Sequence, residues 1–225
     1  MLIAQAQSAG RGRRGHSFFS PPGGLYLSIL LRPAFSTRQS PQITALAAVA
    51  AARAAEQLCG TPIQIKWVND LWKNGKKVCG ILTETSSEPD YIHYAVPGIG
   101  INANTPEFPE ELRDRATSIY LETGKKTDRN ALIAAVMNAF SDYYRRYLET
   151  ADLSLLKDEY DAMLVNMNRE VLILYGMVED ADPEKSEKGV AKGIAPSGAL
   201  LVETEAGLKE VLSGEVSVRG VYGYV

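Results

Sequence analysis

The chain has 225 residues, of which 45% are hydrophobic and 23% charged, so it can bury the core of one large domain or of one domain with a small appendage. Its net charge of −3 and its pI near 5.5 argue against nucleic acid as the partner. Two cysteines, Cys59 and Cys79, cannot build a disulfide framework, which favours the cytoplasm, and the longest apolar windows are too short to cross a membrane.

The N-terminal part of the chain predicts two strands and a long helix. Residues 2–6 form a short apolar run, and residues 25–31 form a nearly continuous one that contains β-formers. Ser40-Pro41 is typical of a helix start, and the alanine-rich residues 45–58 continue that helix until Gly60 ends it.

The middle of the chain predicts further short strands. Residues 63–66 alternate in hydrophobicity as a strand does, and residues 67–75 are expected to form a polar loop. Two more strands, 77–83 and 91–96, are expected to be joined by a turn through residues 86–90.

Helices and then strands follow towards the C-terminus. A short helix is predicted at 118–122, a longer one from the N-cap Asp128 to Tyr147, and a third at about 153–164. Short strands come next at 171–175, 189–194, 199–203 and 208–212, a spacing typical of a small β-barrel or sandwich. We therefore expect one domain of residues 1–167 and a smaller one of residues 168–225.

The sequence Gly10-Arg11-Gly12-Arg13-Arg14-Gly15 combines flexible backbone with fixed positive charge, which suits a loop that closes over an anion. It also matches the glycine fingerprint of dinucleotide-binding folds. That interpretation fails because Pro21-Pro22-Gly23-Gly24 follows where a helix is needed and no carboxylate lies near residue 30. RNA binding is disfavoured by the acidic pI, and a solvated surface turn is the remaining alternative.

A second group of polar residues surrounds the predicted strand 77–83. Asn69 and Asp70 follow one strand, and Lys77 returns towards the same edge at the start of the next. A carboxylate and an ammonium at strand ends are a usual place for a site, although a surface ion pair of little energetic value is the alternative.

A third stretch, residues 98–104, joins strand-like apolar residues to two asparagines. Asn102 is either a buried amide with satisfied hydrogen bonds or a contact to a substrate edge. The two histidines, His16 and His93, have no partners at metal-ligand spacing, so no metal site is expected.

Taken in order, these stretches resemble the biotin protein ligase family. The resemblance rests on Gly-Arg-Gly-Arg-Arg-Gly at 10–15, Lys-Trp-x-Asn-Asp at 66–70, Lys-Lys-x-x-Gly-Ile-Leu at 76–82, Gly-Ile-Gly-Ile-Asn-x-Asn at 98–104 and Ser-Gly-Glu-Val-Ser-Val-Arg-Gly at 213–220. It implies an α/β (α+β) catalytic domain with a mixed sheet, followed by a small SH3-like β-barrel.

The resemblance also implies an activity. Members of the family form biotinyl-5′-AMP from biotin and Mg²⁺-ATP, and then pass biotin to a lysine of a biotin carboxyl carrier protein. Arginines in a closing loop and a lysine on a strand suit this chemistry, because two anions must approach each other during adenylation. Such a loop is expected to be mobile without ligand and ordered with it.

Site residues carry over by position in the motifs. The resemblance assigns biotin and the acyl phosphate to Gln7, Gly10, Arg11, Lys77 and Gly80. It assigns the nucleotide to Arg13, Asn69, Asn102, Arg219 and Phe18, the last of which stands where the family usually has tryptophan. Catalysis is expected from Lys77, Arg11 and Asp70, with Asp70 orienting the incoming amine.

The resemblance is incomplete at the N-terminus. The family carries a Ser-Thr-Asn segment before the first strand seen here, so we expect Met1 to be an internal position of a longer protein. The DNA-binding winged helix of bifunctional members has no counterpart, and a repressor role is not supported. The sequence is also compatible with a lipoate or octanoate protein ligase, with a non-catalytic biotin- or adenylate-binding protein, and with a homodimer formed through sheet edges.

Overall fold

The structure is a computed structural model, and it describes residues 1–60, 62–88, 91–175, 186–212 and 216–220, with Arg14 and residues 216–220 described by backbone alone. The strands of the N-terminal part are β1 (Leu2–Ala4), β2 (Leu25–Ser28), β3 (Gln64–Lys66), β4 (Asp70–Lys73), β5 (Lys76–Glu88) and β6 (Tyr91–Ile101). The helices are α1 (Ser40–Cys59), α2 (Ile119–Thr123), α3 (Arg129–Thr150) and α4 (Lys157–Met163). Strands β7 (Glu170–Tyr175), β8 (Glu187–Ile194), β9 (Leu200–Thr204), β10 (Gly207–Val211) and β11 (Val216–Gly220) follow.

Six of the described strands form one sheet in the order β1-β2-β6-β5-β4-β3. Its ladders are antiparallel, and over the described residues parallel pairing is limited to isolated bridges such as Lys77 with Ala116. Helices cover one face of this sheet, which confirms the predicted α+β class.

Helix α1 packs against the sheet through a face of alanines. The residues Ala47, Ala48, Ala50 and Ala51 have no exposed surface, and their small side chains allow the helix to approach β5 and β6 closely. Gly60 ends the helix in the left-handed conformation, at φ 63°, as predicted.

The predicted polar loop at 67–75 is wrong, because residues 70–73 form strand β4. Leu71 and Trp72 are buried, and Leu71 pairs with Ile65 in an antiparallel hairpin, so burial of these two apolar residues outweighs the polar composition. The β4–β5 turn consists of Asn74 and Gly75, both with positive φ, and an Asn-Gly pair is a strong hairpin signal. As a result Asp70 begins a strand rather than lying in a loop.

The predicted helix starts at Ser118 and Asp128 are confirmed. The Ser118 side chain accepts a hydrogen bond from the Leu121 N–H, and Asp128 accepts from Asn130 and Ala131. The third predicted helix is shorter than expected, because α4 begins only at Lys157.

The remaining strands form a second antiparallel sheet, in the order β10-β9-β8-β7-β11 over the described residues. Its contact with the N-terminal part includes the buried carboxylate of Asp161 on α4, which accepts a hydrogen bond from the Ile194 N–H at 2.8 Å. The adjacent Gly193 has φ 114°, and a Cβ there would lie 2.5 Å from an Asp161 oxygen.

The division into domains at residue 167 stays a prediction. No helix among the described residues is long and apolar enough to span a bilayer.

Three helices meet at the carboxylate of Glu159. It accepts hydrogen bonds from Arg53 of α1 at 2.7 Å and from Tyr143 of α3 at 2.6 Å. Burial raises the pKa of Glu159, but the hydrogen bonds from Tyr143 and Arg53 outweigh burial and leave this pKa below its usual value. The ionised form therefore stabilises the packing of α1, α3 and α4.

We expect Glu159→Gln to lower the free energy of unfolding by about 1–2 kcal/mol at pH 7, because it weakens two charge-assisted hydrogen bonds. Because the pKa of Glu159 is lowered in the folded state, the stabilisation by its ionised form is present above the pKa of the unfolded chain, about 4.3. It is lost as pH falls through the pKa of the folded state. The difference between variant and wild type should therefore shrink below about pH 4 in urea titrations. Glu149→Gln, at an exposed position on α3, is the control, and a Glu159→Gln difference that stays constant with pH would contradict the assignment.

Candidate active site

A cavity of about 270 Å³ lies between the loop of residues 10–18 and the face of β2, β5 and β6 that α1 does not cover. Among the predicted site residues, those that line it are Gln7, Arg11, Arg13, Phe18, Asn69, Lys77 and Gly80. Residues that precede α1 in the sequence are therefore brought together with residues that follow it.

The floor of the cavity is bare backbone. Gly80 of β5 and Gly100 of β6 are directly paired across the sheet, and the Phe18 ring lies on both. A Cβ on Gly100 would lie 2.6 Å from Phe18 Cε1, and one on Gly80 would lie 2.8 Å from Cε2. Any larger residue would displace the ring, so these two positions set the depth of the cavity.

Lys77 stands at the edge of this floor with its ammonium held by Asp70. Its Nζ lies 2.7 Å from Asp70 Oδ1, and 29% of the Lys77 side chain is exposed, so solvent only partly screens the pair. The ammonium is also 5.6 Å from the centre of the Phe18 ring, within range of a cation–π contact. The Lys77 backbone is fixed by hydrogen bonds with Arg115 and Thr117.

The arginine–glycine loop is folded back on itself as a narrow hairpin. The Gly12 N–H donates to the His16 carbonyl at 2.6 Å, and the Phe18 N–H donates to the Gly10 carbonyl at 2.9 Å. A Cβ on Gly10 would lie 2.3 Å from the Phe18 carbonyl oxygen. Gly10 is therefore required by the loop's own packing, and it does not line the cavity.

Two side chains attach this hairpin to the rest of the site. Arg13 donates to Asn69 Oδ1 at 3.2 Å, and Asn69 in turn donates to the Ile81 carbonyl at 3.1 Å. Arg11 lies 3.8 Å from Glu84 on β5, and both of these side chains are largely exposed. The first attachment is the firmer one, because a surface ion pair is worth about 0–1 kcal/mol.

Two predicted nucleotide contacts are not brought into the cavity by the described atoms. Asn102 is buried beyond the end of β6 and donates to the Thr117 carbonyl at 3.0 Å. Arg219 belongs to β11, opposite Leu172, and its side chain is outside the described part of the chain. Residues 213–215 of the terminal signature are also outside it.

Sequence reasoning did not assign several residues that line the cavity, among them Tyr26, Glu84 and Gly100. A signal existed for Gly100, because glycines at 98 and 100 in a strand point to the same face. No comparable signal marked Tyr26 or Glu84.

Two titratable groups at the site are excluded from proton transfer and nucleophilic chemistry near neutral pH. Burial, opposed by Arg129, raises the pKa of Tyr26 to about 12, and its hydroxyl donates to the Pro21 carbonyl. Burial raises the pKa of the Cys79 thiol well above its ordinary value, although Lys77 opposes the shift. Both groups therefore stay protonated near neutral pH.

Family models match both parts of the chain. The model of the biotin/lipoate A/B protein ligase family matches residues 1–102, and the model of the biotin protein ligase C-terminal domain matches residues 168–219.

Known proteins of similar sequence and structure agree with these matches. The bifunctional ligase/repressor BirA of Bacillus spizizenii is 37% identical over 97% of this chain, which spans 66% of that relative's length. The biotin–[acetyl-CoA-carboxylase] ligase of Paracoccus denitrificans is 29% identical, with coverage of 97% of this chain and 90% of the relative. The biotin protein ligase from Aquifex aeolicus, solved in complex with biotin and ATP, superposes with a TM-score of 0.83 and 34% identity, covering 97% of this chain and 88% of that one.

We expect Gly100→Ala to lower the free energy of unfolding by about 1–3 kcal/mol, because the new Cβ collides with the Phe18 ring. Gly98→Ala is the matched control on the same strand face, since the nearest atom to its Cβ is the Leu82 oxygen at 3.4 Å. In a Phe18→Ala background the cost of Gly100→Ala should disappear, which a double-mutant cycle in urea measures. Equal effects of the two glycine replacements would show that Phe18 does not rest on this floor.

Proposed function

Since the chain belongs to the biotin/lipoate A/B protein ligase family, we propose that it acts as a biotin protein ligase, which activates biotin with ATP and transfers it to a lysine of a carrier protein. One observation carries the proposal: Arg11, Arg13 and Lys77 line a single cavity whose floor is the bare backbone of Gly80 and Gly100. The cations suit the phosphates, and the glycine floor lets the Phe18 ring and a substrate beside it lie close to the backbone.

In the first step a carboxylate oxygen of biotin attacks the α-phosphorus of ATP. A carbon–oxygen–phosphorus anhydride forms, the bond from the α-phosphorus to the bridging oxygen breaks, and pyrophosphate leaves. Two anions must meet, so positive charge beside the new bond lowers the barrier. Lys77 is held in position for this role by Asp70, and Arg11 lines the same cavity beside Glu84.

The two halves of the adenylate are assigned to different parts of the cavity. Gln7 and Gly80 remain our proposal for the biotin side, and Arg13, Phe18 and Asn69 for the nucleotide side; Gly10 contributes through the packing of the loop, because it does not line the cavity. The position of Phe18 on the glycine floor supports a contact with both halves. For Asn102 the described contacts give no support, because it does not line the cavity and its amide N–H donates to the Thr117 carbonyl.

In the second step a lysine amine of the carrier attacks the acyl carbon, and AMP leaves as the carbon–oxygen bond breaks. A free lysine amine has a pKa of about 10.4, so it must lose its proton before attack. We assign Asp70 to orient this amine, since the Asp70 carboxylate lies beside Lys77 at the start of β4. A biotin carboxyl carrier protein is the partner we propose.

The cellular setting is part of the same proposal. Cys59 and Cys79 are both free thiols, which supports a reducing compartment, the cytoplasm. ATP and the carrier proteins that we propose as partners are found in that compartment.

Lys77→Gln should lower the rate of biotin-dependent exchange of pyrophosphate into ATP by about 10²–10³-fold, because a cation beside the developing charge is lost. Lys76→Gln is the matched control. Lys76 is the preceding lysine, but its ammonium donates to the Arg113 carbonyl outside the cavity, so this variant should keep the wild-type rate. An unchanged exchange rate in Lys77→Gln would remove Lys77 from the site.

Offering biotin, lipoate and octanoate separately tests the acid substrate. We expect pyrophosphate release with biotin and subsequent labelling of a biotin carboxyl carrier protein. Release with lipoate alone would identify a lipoate ligase instead. Calorimetric binding of biotin without any pyrophosphate release would identify a non-catalytic binding protein.

A further inference from the structure

The segment that carries Asn69 and Asp70 is unusually constrained. Lys66 and Asp70 are paired across β3 and β4, so only residues 67–69 connect the two strands. With so short a connection, a contact that fixes Trp67 also fixes the residue two positions later, Asn69.

The indole of Trp67 is bonded to the second sheet. Its N–H donates to the Gly198 carbonyl at 3.0 Å, and only 9% of the Trp67 surface is exposed. Gly198 lies in the turn between β8 and β9, which is closed by hydrogen bonds between Ala195 and Ala199 and from Gly198 back to Ala195. The acceptor is therefore held in a fixed direction.

The turn itself cannot shift easily. Gly198 has φ 84°, and a Cβ there would lie 3.2 Å from Leu153 Cδ1. The Leu153 N–H donates to the Pro196 carbonyl at 2.8 Å, which attaches the same turn to the segment before α4. Trp67 is thus bonded to a turn that two separate segments hold in place.

On its other side, segment 67–69 reaches the arginine–glycine loop. Asn69 bonds to β5 through its backbone and side chain, since its carbonyl accepts from Ile81 at 2.8 Å and its amide donates to Ile81 at 3.1 Å. The side-chain oxygen of Asn69 accepts a hydrogen bond from Arg13. The contacts run without a break from Gly198 through Trp67 and Asn69 to Arg13.

The second tryptophan provides a contrast. Trp72 on β4 is also buried, at 5% exposure, but its indole N–H has no hydrogen-bond partner in the described part of the chain. Replacing each tryptophan by phenylalanine therefore removes similar apolar surface, and only one replacement breaks a hydrogen bond.

We propose that Trp67 is a positioning residue, whose indole bond to Gly198 holds Asn69 where it retains Arg13 and so keeps the loop of residues 10–18 over the cavity. The proposal rests on the proposed ligase function for its kinetic consequence only. Without the bond, the Gly198 carbonyl is left buried without this donor and segment 67–69 relaxes. The loop then covers the cavity for less of the time, and adenylate formation slows.

The kinetic test compares Trp67→Phe with Trp72→Phe in the full chain, by pyrophosphate exchange. We expect Trp67→Phe to lower kcat/KM about 10-fold and Trp72→Phe to change it less than about twofold, the first corresponding to one hydrogen bond at the transition state. In an Arg13→Ala background Trp67→Phe should have no further effect, because both changes release the same loop. Equal losses in the two phenylalanine variants, or additive effects with Arg13→Ala, would overturn the proposal.

A second measurement does not depend on activity. Arg11, Arg13 and Arg14 are trypsin sites within the loop, so the rate of tryptic cleavage there reports how often it opens. Trp67→Phe should raise this rate severalfold in the ligand-free protein, and Trp72→Phe should not. Gly198→Ala, which displaces the carbonyl without changing Trp67, should reproduce the Trp67→Phe effect.

The two measurements separate the possible failures. If wild-type protein forms no adenylate while Trp67→Phe still exposes the loop, the ligase function fails and the positioning role stands. If cleavage is the same in all variants, the positioning role fails whatever the activity. Thermal unfolding of each variant identifies any variant that has lost its fold. If Trp67→Phe has lost its fold, the cleavage rate of Gly198→Ala tests the positioning role instead.

Discussion

The site depends on one steric constraint, which is that β5 and β6 present bare backbone where they are paired at Gly80 and Gly100. The Phe18 ring and the Lys77 stem lie directly on the sheet only because no side chain rises between them. On the opposite face, the alanines of α1 are buried in the same core as Ile81 and Ile99 of these strands. The sheet is therefore bare on one side only, and there the loop of residues 10–18 closes over a cavity.

Electrostatics then determines which part of the site responds first to an anion. Each cavity cation already has a partner: Lys77 has Asp70, Arg13 has Asn69 and Arg11 has Glu84. The Arg11 pair is long and 79% exposed on the arginine side, so an incoming phosphate displaces Glu84 at little energetic cost. The Lys77 pair is shorter and better shielded from water, so solvent screens it less.

Local chemistry in the sequence was enough to predict several features. The caps at Ser118 and Asp128, and the Gly60 helix end, follow from groups that bond to their own neighbours. Strand β4 was not predicted, because residues 67–75 are mostly polar; the Asn74–Gly75 pair is the local signal that marks its hairpin. The bond from Trp67 to Gly198 joins residues 131 positions apart, so no local pattern encodes it. The resemblance to a known family identified the candidate site residues, but it did not predict that the Phe18 ring lies on Gly80 and Gly100.

The contact of Asp161 with β8 has a consequence for exchanging parts between relatives. The carboxylate occupies the space that a side chain at position 193 would need, and it binds the backbone of the next residue. A C-terminal sheet grafted from another protein would need a glycine at position 193 to pack on α4. It would also need, five residues later at the position of Gly198, a carbonyl that points towards Trp67. Compatibility between the two parts thus depends in part on these two backbone positions.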